Sequence, residues 1–333
     1  MNQNVVKVAV IGAGSLGQHH ARVYAEHPDA QLAGIVDVDR ARAEEIASKY
    51  RTRFCASIDE LDSVDAASVV VPTEQHFSVA SRLLERGVHC LVEKPMTLST
   101  EDGEALCRLA EEKNLILQVG HIERFNPAVM ALNEVLENPL FIEAHRLGPP
   151  APRVKDIGVV MDLMIHDLDL ILALVKSEVV TLDAIGVPVL TPKEDIANAR
   201  LRFASGCIAN VTASRITVGR QRKIRIFQPN AYLSLDYLAP SLEVYRKAED
   251  GDGKPRIEYE QVHIESREPL ETELSSFLEA VRGEHPPVVN GRDGLRALHL
   301  AESITRSINE QFARWPIEAQ TPPLPSGQGW GGQ

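Results

Sequence analysis

Three residues in two separate parts of the chain have side chains suited to acid–base chemistry: Lys94, and Asp162 with His166. Lys94 stands between Glu93 and Pro95, after an apolar run that is typical of a buried strand. Proline restricts the residue before it to an extended conformation, so we expect this lysine to point into a cleft. Partial burial lowers the pKa of a lysine, and the neutral amine can then deprotonate a hydroxyl group. The simpler alternative is a surface lysine at a strand end.

The segment 159–175 is mostly apolar and predicts a buried helix. Asp162, His166 and Asp169 fall at i, i+4 and i+7 within it, so they share one stripe of the helix surface. Buried ionisable groups are costly unless they are paired or used. Histidine, with an ordinary pKa of about 6.5, suits general base catalysis near neutral pH, and Asp162 could orient it or bind a second hydroxyl. The alternative is a structural hydrogen-bonded set packed against a neighbouring domain.

A glycine motif near the N-terminus predicts a nucleotide-binding turn. Gly12, Gly14 and Gly17 have the spacing GxGxxG, after the apolar run 6–11 and at the start of a helical pattern. The first glycine permits a tight turn, the second lets a pyrophosphate approach the backbone, and the third lets the helix pack close to the strand. Free N–H groups at the helix N-terminus attract phosphate. Asp37 follows the next strand, twenty positions after Gly17, as a dinucleotide-binding unit requires.

Asp37 favours NAD over NADP, because its carboxylate accepts hydrogen bonds from the adenosine ribose and repels a 2′-phosphate. Arg40 leaves the opposite choice open, since it follows closely and could contact the adenine or bind that phosphate. Ser15 and Leu16 complete the predicted pyrophosphate turn. A glycine turn that binds another ligand, or none, is the alternative for the whole motif.

Strand and helix patterns alternate through residue 121, which predicts a doubly wound parallel sheet of the Rossmann type. In such sheets, ligands bind at the carboxyl ends of the strands. Residues that follow the predicted strands therefore join the expected cofactor site, and these are Pro72, Thr73, His76, Glu93, Lys94 and His121.

The pattern changes after residue 121. A helix, a strand and the helix 159–175 are followed by a close succession of strand-like runs from 179 to 264, and two helices finish the fold. This order predicts an α+β domain with a large, mostly antiparallel open sheet and helices on one face. The expected division is an NAD-binding domain at 1–121, a substrate-binding and oligomerisation domain at 122–316 and a mobile tail at 317–333.

Composition narrows the class of protein. The chain is 44% hydrophobic and 25% charged, as in ordinary globular proteins, and its net charge of -12 carries no general nucleic-acid footprint. The four cysteines have no CxxC or paired spacing, which predicts reduced core residues and no metal site. No signal peptide and no run long enough to span a bilayer is recognisable, so the expected location is the cytoplasm, with no membrane partner.

GAGSLGQHH, EKP and D-x-x-x-H-D occur in this order, and together they resemble the Gfo/Idh/MocA oxidoreductases up to about Pro316. The resemblance implies a Rossmann domain followed by an α/β domain whose open sheet makes a homodimer or homotetramer. It implies oxidation or reduction of a ring hydroxyl of a sugar or cyclitol with NAD(P). It also implies that Lys94, Asp162 and His166 form the catalytic set.

A narrower resemblance lies in GHIERFNPA, from Gly120 to Ala128, which is similar to family members that oxidise C3 of UDP-N-acetylglucosamine. A diphosphate needs cations, and Arg124, Arg153 and Lys155 are candidates, with Asn126, Lys94, Asp162 and His166 completing the expected substrate site. Alternatively, Arg124 and Asn126 form a domain-boundary turn in which Asn126 caps the next helix. A dehydrogenase of a free sugar or inositol, an NAD-dependent glycosidase and a non-catalytic NAD sensor remain open alternatives.

Overall fold

The computed structural model describes residues 5–150 and 157–314. Its first sheet has six parallel strands in the order β3-β2-β1-β4-β5-β6. The chain leaves the central β1 first toward one edge and then toward the other, which confirms the doubly wound prediction. The strands are β1 (Val6–Ile11), β2 (Ala30–Val36), β3 (Phe54–Cys55), β4 (Ala66–Val69), β5 (His89–Glu93) and β6 (Leu117–Gly120).

Four helices cover the two faces of this sheet: α1 (Gly17–Glu26), α2 (Arg40–Lys49), α3 (Thr73–Glu85) and α4 (Thr100–Glu112). The Ser99 hydroxyl accepts the N–H of Asp102 and so caps the start of α4. The sequence SIDEL at 57–61 predicts the start of a helix, but only a 3₁₀ turn, Ile58–Glu60, forms there. It cannot extend, because the buried Val64 and the strand at Ala66 follow within a few residues.

The second sheet has eight strands in the order β14-β13-β12-β11-β7-β10-β9-β8. All neighbours are antiparallel except β7 and β10, which confirms the predicted mostly antiparallel sheet. The strands are β7 (Phe141–Leu147), β8 (Val179–Val187), β9 (Ile196–Phe203), β10 (Ile208–Ser214), β11 (Gln221–Gln228), β12 (Ala231–Asp236), β13 (Ser241–Glu249) and β14 (Pro255–Val262).

The segment 159–175 departs from the single helix that its apolar pattern predicts. A π-helical turn, Val160–Met164, comes first, and the α-helix α6 (Ile165–Val175) follows. Groups outside the helix compete for the backbone of this first turn. Glu194 accepts the N–H of Val159 through its carbonyl and that of Val160 through its carboxylate, while Lys94 donates to the carbonyl of Asp162.

The remaining helices are α5 (Pro127–Val135), α7 (Pro269–Val281) and α8 (Gly291–Arg314). Leu274 and Phe277 of α7 pack into the core of the first sheet, while α8 contributes to the cores of both sheets. A Cβ at Gly294 would come within 2.5 Å of Val119, so this glycine lets α8 lie directly against β6. The C-terminal helices therefore return to the first sheet, and the division of the chain at 121/122 stays a prediction.

None of the helices in the two described ranges combines the length and apolar character needed to cross a membrane. The tail expected at 317–333 lies outside the described residues.

Candidate active site

The glycine turn has the geometry that its spacing predicts. Gly12 has a φ of +105°, which favours glycine, and a Cβ there would come within 2.5 Å of the Val70 carbonyl. A Cβ at Gly17 would come within 1.8 Å of the Gly12 carbonyl, so α1 packs directly on the turn. At Gly14, in contrast, a Cβ would meet no atom within 4 Å. The open side of the turn at Gly14 leaves the backbone accessible to a pyrophosphate.

Asp37 lies at the carboxyl end of β2 and is held by backbone groups on both sides. Its Oδ2 accepts the N–H of Ala13 at 2.5 Å, and its Oδ1 accepts the N–H of Asp39 at 2.8 Å. The carboxylate lines a cavity of about 490 Å³ together with Gly12, Gly14 and Pro72. An open glycine turn beside a fixed carboxylate fits the pyrophosphate and adenosine ribose of NAD, so these residues would hold that cofactor.

Arg40 lies outside this cavity. It donates from Nε to Glu44 at 2.7 Å and its guanidinium carbon lies 5.7 Å from the centroid of the Phe54 ring. As the first residue of α2, it meets the residue one turn later along its own helix. Arg42 and Arg82 are the arginines that line the cavity instead. The sequence motif did not single them out, because neither stands at a motif position.

Lys94 leaves β5 at the carboxyl edge of the first sheet and reaches the helical segment 160–175. This segment is called the catalytic helix below, after the role expected of Asp162 and His166. Its Nζ donates to the backbone carbonyl of Asp162 at 2.9 Å and lies 4.0 Å from the carboxylate of the same residue. Burial lowers the pKa of Lys94, and the carboxylates of Asp162 and Glu93 oppose this shift. The structure therefore brings together two of the three residues expected to carry acid–base chemistry.

His166, the third residue, has a buried Nδ1 with no hydrogen-bond partner in the described part of the chain. Burial and the positive charges of Lys94 and Arg146 hold the pKa of His166 well below its ordinary value. His121, at the end of β6, has two buried ring nitrogens that also have no partner among the described residues. Burial lowers the pKa of His121 as well, so both rings are neutral imidazoles at neutral pH.

A buried ion network that the sequence did not reveal lies beside the catalytic helix. Arg146 donates from Nε and Nη2 to Asp167 at 2.8 and 3.0 Å, and from Nη1 to Glu123 at 2.9 Å. The ring of Tyr237 lies 5.6 Å from the guanidinium carbon. The available signal was an arginine at an inward position of β7, where Ile142 and Ala144 are the other members. A buried cation on an apolar face requires carboxylates, and Asp167 directly follows His166.

Arg124 and Asn126 are both engaged by the fold. Arg124 donates to the carboxylate of Asp169 from Nε at 2.6 Å and from Nη2 at 2.9 Å. Asn126 accepts the N–H of Ala128 at 3.0 Å and so caps α5. These contacts favour the domain-boundary alternative for both residues. The residues of the predicted stripe therefore have different partners. The carboxylate of Asp169 accepts hydrogen bonds from Arg124, whereas the backbone carbonyl of Asp162 accepts one from Lys94.

The remaining predicted residues lie at the carboxyl ends of strands of the first sheet or in the segments that follow them, and among them Pro72 lines the cavity at Asp37. His76 bridges the carbonyls of Pro95 and Val71, each at 2.9 Å, and thereby ties α3 to the loop after Lys94. The Glu93 carboxylate lies 3.2 Å from Nε2 of His20. Ser15 and Leu16 immediately precede α1, and Pro72 and Thr73 begin α3. Arg153 and Lys155 lie outside the described residues.

The described residues contain no group of three or more His, Cys, Asp or Glu side chains placed to hold a metal ion.

Comparisons with known proteins agree with this geometry. Residues 6–121 match the family model of an oxidoreductase family with an NAD-binding Rossmann fold, and residues 140–233 match the Gfo/Idh/MocA C-terminal domain. The chain is 42% identical over 312 residues to UDP-N-acetylglucosamine 3-dehydrogenase of Acidithiobacillus ferrooxidans, covering 93% of this chain and 99% of that enzyme. A crystal structure of that enzyme superposes with a TM-score of 0.86 at 40% identity, covering 92% of this chain and 98% of that one.

A more distant relative is the inositol 2-dehydrogenase of Rhizobium meliloti, which is 28% identical and covers 92% of this chain and 98% of that enzyme. An Agrobacterium radiobacter oxidoreductase solved in complex with NAD+ shares the fold, with a TM-score of 0.80 at 19% identity over 92% of this chain and 97% of that one. The chain belongs to the Gfo/Idh/MocA family and is an NAD-dependent oxidoreductase that acts on CH–OH groups.

Proposed function

We propose that this chain oxidises the C3 hydroxyl of UDP-N-acetylglucosamine with NAD and produces the 3-keto nucleotide sugar. The observation that carries the proposal is the Lys94–Asp162 contact at the end of the nucleotide cleft, with His166 on the same catalytic helix. The choice of substrate is supported by 42% identity, over nearly the full length of both chains, to an enzyme named for that reaction.

In this mechanism Lys94 is the group that takes the hydroxyl proton. Its lowered pKa increases the fraction of neutral amine near neutral pH, and the nearby Asp162 stabilises the ammonium that forms. His166 is a neutral imidazole, so it can hold the reacting oxygen or a neighbouring hydroxyl by a hydrogen bond. NAD, when bound, supplies the hydride acceptor. The protein contributes the fixed orientation of the sugar and the route of the proton.

A second candidate is a dehydrogenase of a free cyclitol, since the inositol 2-dehydrogenase of Rhizobium meliloti is also similar along the whole chain. The same catalytic residues would serve either substrate. The difference would lie in the groups that recognise what is attached to the ring.

Substrate-dependent NADH formation tests the proposal. The expected result is turnover with UDP-N-acetylglucosamine and much slower turnover with free N-acetylglucosamine, glucose and myo-inositol. Preference for a free sugar or cyclitol would overturn the substrate assignment and favour the second candidate. A glycosidase would release a reducing sugar without net NADH, and a sensor would bind NAD without turnover.

Self-association through the outer face of the second sheet is a further part of the proposal. A row of neighbouring aromatic rings crosses that face from β7 to β14, and Ile257 and Tyr259 on β14 are 76% and 54% exposed. An exposed aromatic row of this kind is suited to a second copy of the sheet. Light scattering should give the mass of a homodimer or homotetramer, and Ile257→Lys should reduce that mass.

Location in the cytoplasm is also part of the proposal, and cell fractionation would test it.

A further inference from the structure

Arg222 lies on the inner face of β11, where the side chains alternate with those exposed on the outer face. Ile224 and Ile226 occupy the next two inward positions and are buried in the core of the second sheet. Arg222 stands in register with Arg146 on the neighbouring β7. It therefore lies beside Arg146 and its network, near the start of β11.

The carboxylates near Arg222 are already used by Arg146. Arg146 donates to both oxygens of Asp167 and lies 2.9 Å from Oε1 of Glu123. Nη1 of Arg222 lies 3.9 Å from that same glutamate oxygen, which is too long for a hydrogen bond. No side-chain hydrogen bond from Arg222 is present among the described residues, although its side chain is only 44% exposed. Five N–H donors in a fixed planar fork are therefore available at this point.

Arg222 also lies close to the reacting groups. Arg222 is the register partner of Arg146, and Arg146 donates a hydrogen bond to Asp167, the residue after His166. The charge of Arg222 contributes to the lowered pKa values of both Lys94 and His166.

We infer that Arg222 binds the diphosphate of a nucleotide-sugar substrate. The inference rests on the proposed function, and it assigns the phosphate-binding role to Arg222 in place of Arg124, whose Nε and Nη2 are bound to Asp169. A guanidinium with free donors matches phosphate oxygens in a bidentate arrangement. In such a substrate the diphosphate is attached at C1 of the ring that carries the reacting C3 hydroxyl. When that hydroxyl lies at the catalytic helix, the diphosphate must lie nearby.

Burial and the charge of Arg146 lower the pKa of Arg222. The carboxylates of Glu123 and Asp167 act in the opposite direction but do not fully offset this shift. Arg220 adds a further positive charge nearby. A dianionic ligand would remove the repulsion between these arginines.

Binding of UDP to the NAD-loaded protein tests the inference directly. Isothermal titration would compare the wild type with Arg222→Gln, Arg222→Lys and the matched control Arg225→Gln. Arg225 is on the same strand, but it points to the outer face and pairs with Glu143. We expect Arg222→Gln to raise the Kd of UDP by roughly tenfold or more, Arg222→Lys to recover part of that loss, and Arg225→Gln to change it less than about twofold.

Kinetics separate a phosphate contact from a structural role. Arg222→Gln should raise KM for UDP-N-acetylglucosamine by a much larger factor than it changes the slow turnover of free N-acetylglucosamine, and the Kd of NAD should stay near its wild-type value. Equal losses for the free and the UDP-linked sugar would overturn the inference, because Arg222 would then act by supporting the Arg146 network. A thermal melt of each variant checks that the fold is intact.

The two proposals can fail separately. If the wild type binds UDP and Arg222→Gln binds it equally well, the assignment of Arg222 is wrong and the proposed function stands. If the wild type neither binds UDP nor oxidises UDP-N-acetylglucosamine, the proposed function fails, and the diphosphate role of Arg222 fails with it.

Discussion

The two ends of the nucleotide cleft are built in different ways. At the adenosine end, Asp37 is held by the N–H groups of Ala13 and Asp39, and the glycines of one short turn provide the space. At the catalytic end, His121 and His166 keep buried ring nitrogens without partners in the described chain. Buried polar atoms normally find partners in the protein. At the adenosine end, the Asp37 carboxylate is thus already held in place by the protein before NAD binds. At the catalytic end, the ring nitrogens of His121 and His166 are available for hydrogen bonds to ligands.

The Arg146 network explains how the incomplete end keeps its shape. Arg146 joins the second sheet to Asp167 on the catalytic helix and to Glu123 on the turn that follows the first sheet. All three side chains are buried or nearly so. Their contacts fix the segment that carries His166 without using any group of the reacting set.

The largest expected effect comes from removing the reacting groups. Lys94→Met and His166→Asn should each lower turnover by roughly 10²–10⁴, which is the usual contribution of a positioned acid or base. The Kd of NAD should change little, because the adenosine end is built from separate residues. Steady-state rates and a separate NAD titration measure the two quantities. Near-normal turnover in His166→Asn would mean that this histidine is structural and that its free ring nitrogen does not act on the substrate.

A loss of stability is expected when the supporting network is broken. Arg146→Met leaves Asp167 buried without its partner and should lower the free energy of unfolding by about 3–5 kcal/mol. Denaturant unfolding of the free protein measures it. Arg225→Met removes a surface arginine and should cost less than about 1 kcal/mol, since exposed pairs contribute little. Equal costs for the two variants would contradict the supporting role of the network.

The sequence predicted the adenosine end of the cleft in detail but the catalytic end only in part. The glycine turn and Asp37 lie close together in the sequence, within residues 6–39, and their spacing predicted the turn and the strand that precedes it. Lys94 and Asp162 were also expected to meet, and they do. Arg146 and Arg222 could not be predicted to lie side by side, because that depends on the register of β7 against β11, seventy-six positions apart. The partner of Arg124 could not be predicted for the same reason, since Asp169 comes from a distant helix.

The π-helical turn shows a second limit of sequence patterns. The apolar run 159–175 is consistent with an α-helix throughout, and α6 does begin at Ile165. The preceding turn is π-helical, and its backbone meets Glu194 and Lys94, which come from other parts of the chain. Hydrogen bonds of this kind carry no local signal. The departure from regular helix falls at Asp162, whose backbone carbonyl accepts the hydrogen bond from Lys94.

The pH dependence of turnover sharpens the assignment of roles at the catalytic end. Since burial lowers the pKa of Lys94, kcat/KM should rise with pH to a midpoint below the ordinary lysine value of 10.5. The Asp162 carboxylate raises that pKa, so Asp162→Asn should move the midpoint to lower pH while it also lowers the maximal rate. His166 is already neutral across this range and adds no step. Rate profiles between about pH 6 and 10 give both midpoints, and a shift to higher pH would assign the step to another group.

The smallest effect is expected at the adenosine end, where Asp37 selects the cofactor. The wild type should bind NAD more tightly than NADP, because the carboxylate accepts the ribose hydroxyls and repels a 2′-phosphate. Asp37→Asn keeps the size of the side chain but removes its charge, so it should weaken NAD binding by roughly tenfold and narrow the gap, as expected for loss of a charge-assisted hydrogen bond. Arg40→Ala is the matched control and should leave the ratio unchanged, because Arg40 pairs with Glu44 outside the cavity. Titration of both cofactors against all three proteins measures the ratios. A wild type that prefers NADP would reverse the role given to Asp37, and it would direct attention to Arg42 and Arg82, the two arginines that line the cavity.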